Sequence, residues 1–368
     1  MKTSKILLAL VLVGILHACT VSRFFIYNFA DAKDYKKFPT RTLKAPEKAF
    51  NFHEVDSMKG PKRVTVSGEE IPWGEFLEDN KTLAFLIIRN DSILYEEYFN
   101  KYDESSIVPS FSMAKSVTSM LVGCAIEDGL IGSVNDPVAK YIPELAENGF
   151  DKVTIEHVLQ MTTGLDFNES YVNPFGTVAK FYYGRHLPKY VRKLELEAEP
   201  GSRWQYVSGD TQILVDILDG VLTDETVTQY LERRIWQPLG MEYDASWSLD
   251  KKDGIEKGFC CINARARDFA KLGRLYLNNG NWNGTQIVPE SWVEKSTAVD
   301  TTNNSVWFYQ YQWWKENKDN DFYAEGILGQ FVYVSPDNNF IAVRLGKNYG
   351  DANWSGLMSS LSKKYALK

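Results

Sequence analysis

Between Thr82 and Phe99 the chain reads TLAFLIIRNDSILYEEYF, two apolar, β-branched and aromatic runs on either side of the turn residues RNDS. This pattern predicts a β-hairpin. At Ser112 the pattern changes: SMAKSVTSMLVGCAIEDGLI places apolar residues at helical spacing, behind a capping serine and before a stop near Gly129. From about Asn135 to Asp250 the patterns are mostly helical (PVAKYIPEL, TIEHVLQM, TQILVDILDGVL, TVTQYLERRIWQPLG), interrupted by the turn-rich TTGLDFNESYVNPFG. INARARDFAKLGRLYLNNG then predicts an amphipathic helix ended by Asn and Gly, followed by strand-like VWFYQYQWW, GQFVYVS and NFIAVRLG. Strands thus flank the helical part at both ends of the sequence. The economical architecture is α+β: an antiparallel sheet from both chain ends flanked by helices, over 63–134 and 251–368, with an all-helical domain inserted over 135–250.

Composition supports a folded chain with a large core, since 44% of the 368 residues are hydrophobic and 14% aromatic. The net charge of -7 is spread along the sequence, with no basic stripe of the kind a phosphate backbone requires. No nucleic-acid partner is expected. At the N-terminus, MKTSK supplies a positive n-region and ILLALVLVGIL an apolar h-region ending at LHAC. The segment resembles a lipoprotein signal over 1–19, with Cys19 acylated and His17 an atypical occupant; a short uncleaved anchor is the rival. Either reading gives an exported, membrane-tethered protein. Residues 20–62 read as an aromatic and basic arm without clear period. Cys124, Cys260 and Cys261 do not form a disulfide framework and read as core packing, since adjacent cysteines close a strained ring. The four histidines are scattered, so no metal is expected.

Candidate chemistry begins by elimination. The chain lacks a GxSxG elbow, HExxH, a P-loop and a convincing GxGxxG. A serine nucleophile without a histidine triad needs another base, and a buried lysine can serve, because burial disfavours its charged form. Ser112 and Lys115 are three residues apart and share a helix face. Alone, SxxK is a common pattern that mostly marks a capped helix with a solvated lysine. Here it follows a hairpin and leads into an apolar helix. In EPGSRWQYVSGDTQILVDIL, Tyr206 and Ser208 sit on an apparently exposed loop tip before a helix, although a tyrosine in such a setting is also an ordinary core residue. Gly326 and Gly329 stand at the start of a late strand, where glycine marks a bulge or the close approach of a substrate backbone.

Ser112-Met-Ala-Lys115, Tyr206-Val-Ser208 and the Gly326 strand, in this order, resemble the serine β-lactamase and penicillin-binding protein superfamily of the class C type. VTIEHVLQMTTGL, QPLGM and INARARDFAKLGRLYLNNG support the resemblance, which covers about Leu83 to Gly346 and is nearest to the esterase and 6-aminohexanoate-dimer hydrolase members. It implies a β-lactamase/transpeptidase-like fold without cofactor. It also implies Ser112 as the acylated nucleophile, Lys115 as its base and Tyr206 as a proton relay. Ser208, standing where the family often has asparagine, would contact substrate, and the backbone N–H groups of Ser112 and Ile327 would form the oxyanion hole.

The third motif departs from the family pattern. Lys-Thr-Gly is replaced by Ala324-Glu325-Gly326, which removes the cation that engages the carboxylate of a β-lactam or peptide terminus and favours neutral or cationic substrates. The expected activity is cleavage of a small-molecule ester or amide through an acyl-enzyme. A D-alanyl-D-alanine carboxypeptidase or β-lactamase and a non-catalytic penicillin-binding-type sensor are the alternatives. NESYVNPFGTVAKFYYG lies where the family covers the active site; Tyr171 is a binding candidate there, whereas Tyr182 and Tyr183 read as core.

Overall fold

A computed structural model describes residues 20–57, 59–66 and 68–365. Cys19 and the segment read as a signal lie outside the described residues. The main sheet has eight strands: β1 (His53–Glu54), β2 (Thr82–Arg89), β3 (Ser92–Tyr98), β4 (Tyr309–Gln310), β5 (Trp313–Trp314), β6 (Phe322–Gly326), β7 (Gln330–Ser335) and β8 (Phe340–Gly346). They lie in the order β4-β5-β6-β7-β8-β2-β3-β1. The N-terminal hairpin therefore meets the C-terminal meander where Ile88 pairs with Ile341 and Leu86 with Val343. Adjacent strands are antiparallel except at the edge, where β1 runs parallel to β3. Asn90 and Asp91 turn the hairpin with φ of 49° and 57°, the positive values a tight two-residue turn demands.

Both faces of the sheet are buried, which explains the continuous apolar runs of β2 and β8 where an exposed face would produce alternation. The helices that pack on it or build the site are α1 (Thr20–Tyr27), α2 (Trp73–Asp79), α3 (Met113–Glu127), α4 (Thr177–Tyr183), α5 (Ser208–Val221), α6 (Ala266–Leu277) and α7 (Trp354–Lys364), of which α2, α3, α6 and α7 lie against the sheet. Phe85, Ile87, Phe331, Tyr333, Phe340 and Ala342 point to one side and pack with Trp73 of α2 and Trp354 of α7. Leu86, Ile88, Val332, Val334, Ile341 and Val343 point to the other, toward α3 and α6. Gly273 of α6 permits close helix–sheet packing, since a Cβ there would lie 2.9 Å from Val332. Helix α3 is buried all round from Met113 to Ala125, as expected of an element wedged between the sheet and the helical part.

The segment 135–250 is less regular than its pattern suggests. Val138–Lys140 and Pro143–Asn148 form 3-10 turns; Pro143, inside the run PVAKYIPEL, removes a backbone donor that one continuous α-helix would use. Ala245–Ser248 is a strand, pairing with Thr40–Leu43 of the arm and with Ile262–Ala264. The arm also has structure where no period was visible. Phe24 of α1 stacks edge-on against Tyr183 of α4, with centroids 5.2 Å apart, and Phe38 against Tyr182 at 5.1 Å. Tyr182 donates to Asp34 at 2.6 Å and Tyr183 to the Asn28 carbonyl at 2.6 Å. Lys257 Nζ, fully buried, donates to the Tyr182 carbonyl at 2.6 Å beneath the Phe38 ring.

Cys260 and Cys261 are buried in the core, as the packing expectation has it, and they are in addition joined in a disulfide, with Cα atoms 3.7 Å apart. The left-handed φ of 76° at Cys261 is part of the turn that holds the pair together. Cys124 is a free, buried thiol, as core packing requires. Among the described residues, no group of histidine, cysteine and carboxylate side chains is arranged to hold a metal ion, and no helix is long and apolar enough to cross a membrane.

Candidate active site

Ser112 occupies the position before the first turn of α3, but its hydroxyl does not cap the helix. It faces Lys115 instead, with Oγ 3.1 Å from Nζ. The preceding residue, Phe111, is buried at φ 45°, a left-handed conformation that is costly for a bulky side chain and is maintained only where the surroundings fix it. The fixing contacts are the Ser110 N–H to the Ile262 carbonyl at 2.7 Å and the Ile262 N–H to Ser110 Oγ at 3.0 Å.

Lys115 is 1% exposed. Its Nζ has three polar neighbours: Ser112 Oγ, Ser208 Oγ at 3.2 Å and the Phe259 carbonyl at 3.1 Å. Ser208 Oγ lies 2.6 Å from Glu169 Oε1, and the Ser208 N–H donates to Glu169 Oε2 at 2.8 Å. The single Ser208 hydroxyl proton therefore goes to the carboxylate, and Ser208 accepts from Lys115. A neutral amine has two protons and one lone pair. With the protons directed to Phe259 and Ser208, the lone pair is left for the Ser112 hydroxyl. Burial lowers the Lys115 pKa to about 8, with the charge of Glu169 opposing the fall.

Tyr206 completes the group. Its ring lies 4.8 Å from Lys115 Nζ and packs on Trp314 at 5.3 Å and Tyr309 at 5.8 Å. The aromatic packing leaves it half-buried, which corrects the expectation of an exposed loop tip. Burial pushes its phenol well above the usual value, opposed by hydrogen bonding with Ser112. Tyr206 is thus a neutral donor and acceptor at ordinary pH. Ser208 opens α5 and is buried, tied to Glu169 as well as to the lysine.

Gly326, the last residue of β6, lies against the turn carrying the serine: a Cβ there would stand 2.3 Å from the Ser110 carbonyl and 3.1 Å from the Ser112 nitrogen. Among the described residues, neither the Ser112 N–H nor the Ile327 N–H has a hydrogen-bond partner. Glu325, next to Gly326, accepts a hydrogen bond from Tyr349, whose hydroxyl also lies 3.5 Å from the Gly326 carbonyl. Burial raises its pKa, with the Tyr349 bond opposing and Glu316 adding to the rise.

A cavity of about 280 Å³ opens beside Ser112. Its walls are apolar: Phe111 and Phe259, Val178 and Ala179 of α4, Ile327 and Leu328 after β6, with Phe29 and Ala30 contributed by the arm. Ser208, Tyr349 and Cys260 also reach it. Tyr171 lies at its mouth, 43% exposed, with its hydroxyl donating to Glu169 at 2.8 Å. The structure thus brings together all seven residues singled out within its described range: Ser112, Lys115, Tyr206, Ser208, Gly326, Ile327 and Tyr171. Tyr182 and Tyr183 both pack with the arm and line the same cavity. Glu169 and the arm residues were not singled out. Glu169 sits in an aperiodic, turn-rich loop, and its only sequence signal is an acidic residue in a segment expected to cover the site.

Fold and site together define a serine hydrolase of the β-lactamase type. Residues 75–351 match the family Beta-lactamase, and the chain belongs to it. The 6-aminohexanoate-dimer hydrolase of Paenarthrobacter ureafaciens is 28% identical over 309 residues, covering 77% of this chain and 78% of that one. A solved structure described as "Putative 6-aminohexanoate-dimer hydrolase from Bacillus anthracis" superposes with a TM-score of 0.80 at 26% identity, over 90% of this chain and 91% of that one. A penicillin binding protein from Bacillus halodurans shares the fold, with a TM-score of 0.63 at 16% identity over 79% of this chain and 99% of the other.

Proposed function

We propose that this enzyme cleaves a small ester or amide through an acyl-enzyme on Ser112. The observation that carries the reading is the contact set of Lys115, whose Nζ lies within hydrogen-bond distance of Ser112, Ser208 and the Phe259 carbonyl, so that the neutral amine can donate to the last two and keep its lone pair for the Ser112 hydroxyl. In the first step Ser112 Oγ attacks the substrate carbonyl and its proton passes to Lys115. The carbonyl oxygen gains negative charge beside the N–H groups of Ser112 and Ile327, donors of a kind each worth about 3 kcal/mol in acyl transfer. As the tetrahedral centre collapses, the bond to the leaving group breaks and Lys115 returns the proton to that group by way of Tyr206. Water then attacks the acyl carbonyl, giving a proton to Lys115. The Ser112 ester bond breaks, the acid departs, and Lys115 reprotonates the serine.

The raised phenol of Tyr206 argues against phenolate as the base and supports its role as relay. The apolar cavity and the absence of a cation at Ala324-Glu325-Gly326 favour an uncharged acyl group over a β-lactam or a peptide carboxylate. The positive n-region, apolar run and Cys19 support export and tethering by an N-terminal lipid. Fatty-acid labelling lost in Cys19→Ser tests the tether. A fluorophosphonate probe, with p-nitrophenyl acetate and butyrate as substrates, tests the chemistry. Labelling and turnover lost in Ser112→Ala are expected; turnover that survives the substitution overturns the assignment, and a stable adduct without turnover indicates a sensor.

A further inference from the structure

Among the described residues, eight large apolar side chains are exposed, and six of them lie in two segments that each supply residues to the cavity wall. Phe25, Ile26 and Phe29, at 69%, 50% and 54% exposure, belong to α1 and the turn after it. Tyr171, Val172 and Phe175, at 43%, 70% and 77%, belong to the loop over the site. That loop leads directly into α4, on which α1 packs through Phe24 and Tyr183. Phe29, Tyr171 and Val172 line the same opening, so the two segments form one rim. Scattered single exposures need no explanation, but a contiguous apolar rim around a pocket marks an interaction surface.

We propose that this rim inserts into the surface of a lipid bilayer, so that the active site takes an acyl ester directly from the membrane. The inference rests on the serine-hydrolase reading given above. Three observations select a bilayer as the occupant. Cys19, the proposed point of lipid attachment, directly precedes Thr20 of α1 in the sequence, so the proposed tether would leave Phe25, Ile26 and Phe29 only a few residues from the membrane. The rim is aromatic and aliphatic, the composition that buries itself at the boundary of headgroups and acyl chains. The cavity behind it is apolar, has a volume of about 280 Å³ and reaches Ser112, so an acyl chain passing inward from the membrane would meet the nucleophile.

The test uses the full chain in phosphatidylcholine vesicles, comparing wild type with Phe25→Ser/Ile26→Ser/Phe175→Ser, three positions outside the cavity wall. Two substrates are measured: water-soluble p-nitrophenyl acetate and a long-chain p-nitrophenyl ester dissolved in the bilayer. The triple variant is expected to keep its rate on the soluble ester and to lose roughly tenfold or more on the bilayer ester, given the apolar area withdrawn. An environment-sensitive fluorophore on Phe175→Cys is expected to shift to the blue and to be quenched by brominated lipid. Equal loss-free rates on both substrates, or a fluorophore that stays in water, overturn the proposal while leaving the hydrolase reading intact. Absence of turnover on the soluble ester in wild type overturns the hydrolase reading. A concentration-dependent dimer abolished by the triple substitution assigns the rim to a second copy of the chain and also overturns lipid docking.

Discussion

Ser208 donates a hydrogen bond to Glu169, 2.6 Å away, which leaves its own oxygen to accept from Lys115. With Ser208 committed as a donor to the carboxylate, a neutral Lys115 donates to its oxygen and keeps the lone pair for Ser112. Glu169→Gln keeps the size of the side chain and removes its charge. We expect kcat to fall about tenfold, the worth of one charge-assisted hydrogen bond. Steady-state kinetics check this, with retention of the thermal midpoint showing that the loop still folds.

The pH profile follows from the same lysine. Lys115 acts as a base only when neutral, and burial brings its pKa to about 8. Activity on a soluble ester is expected to rise with pH through a single acid limb near 8. Glu169 raises that pKa, so Glu169→Gln moves the limb to lower pH. A limb unmoved by the substitution would mean that another group controls the rate.

A lysine whose ammonium is buried away from water weakens the fold that holds it. Its folded pKa lies below the unfolded value, so the cost is fully present below about pH 8 and fades as pH rises toward the unfolded lysine value of about 10.4. Lys115→Met removes the buried amine. Hydrolysis is expected to vanish while unfolding stability at pH 7 rises by about 1–3 kcal/mol, less than the full protonation cost because Ser208 and Phe259 lose a partner. Denaturant titration at pH 7 measures it, and the gain should shrink above pH 9.

Gly326→Ala places a methyl group against the Ser110 carbonyl and the Ser112 nitrogen. Either β6 or the nucleophile turn must move, separating the two N–H groups. We expect kcat/KM to fall about a hundredfold, with fluorophosphonate labelling slowed in parallel. Normal rates would place the oxyanion elsewhere.

Glu325, held by Tyr349 at the cavity wall, takes the middle place of Ala324-Glu325-Gly326, beside Ala324, where the Lys-Thr-Gly pattern would put its lysine. Glu325→Lys is expected to raise kcat/KM for an anionic ester relative to a neutral one by about tenfold, a modest effect for a reversed charge acting across several ångströms. An unchanged ratio would sink the idea that this position sets charge preference.

The hairpin, α3 and the C-terminal strands were legible because period, turn residues and β-branched composition agreed with one another. The meeting of Ser112, Lys115, Tyr206, Ser208 and Gly326 was legible from motif order. What local pattern could not show was partnership at a distance. Glu169 reaches Ser208 across 39 positions from a loop without periodicity. Tyr206 sat in a loop-like context, yet the aromatic cluster of Tyr309 and Trp314, supplied from a hundred residues later, closes over it. The arm showed no period because tertiary contacts specify it: Phe24 and Phe38 find the tyrosines of α4, and Thr40–Leu43 finds Ala245–Ser248.

The pairing of β2 with β8 joins positions about 250 residues apart. A ribosome or export channel releases β2 long before its partner, leaving Leu86, Val343's future neighbour, on a long apolar strand with an open edge. Completion of the sheet waits for almost the whole chain to emerge, which makes folding slow and dependent on holding that edge apart from other chains. A nascent chain stalled before Phe340 would contain the serine, the lysine and the tyrosine in sequence, yet β2 would lack the strand that seats it in the sheet.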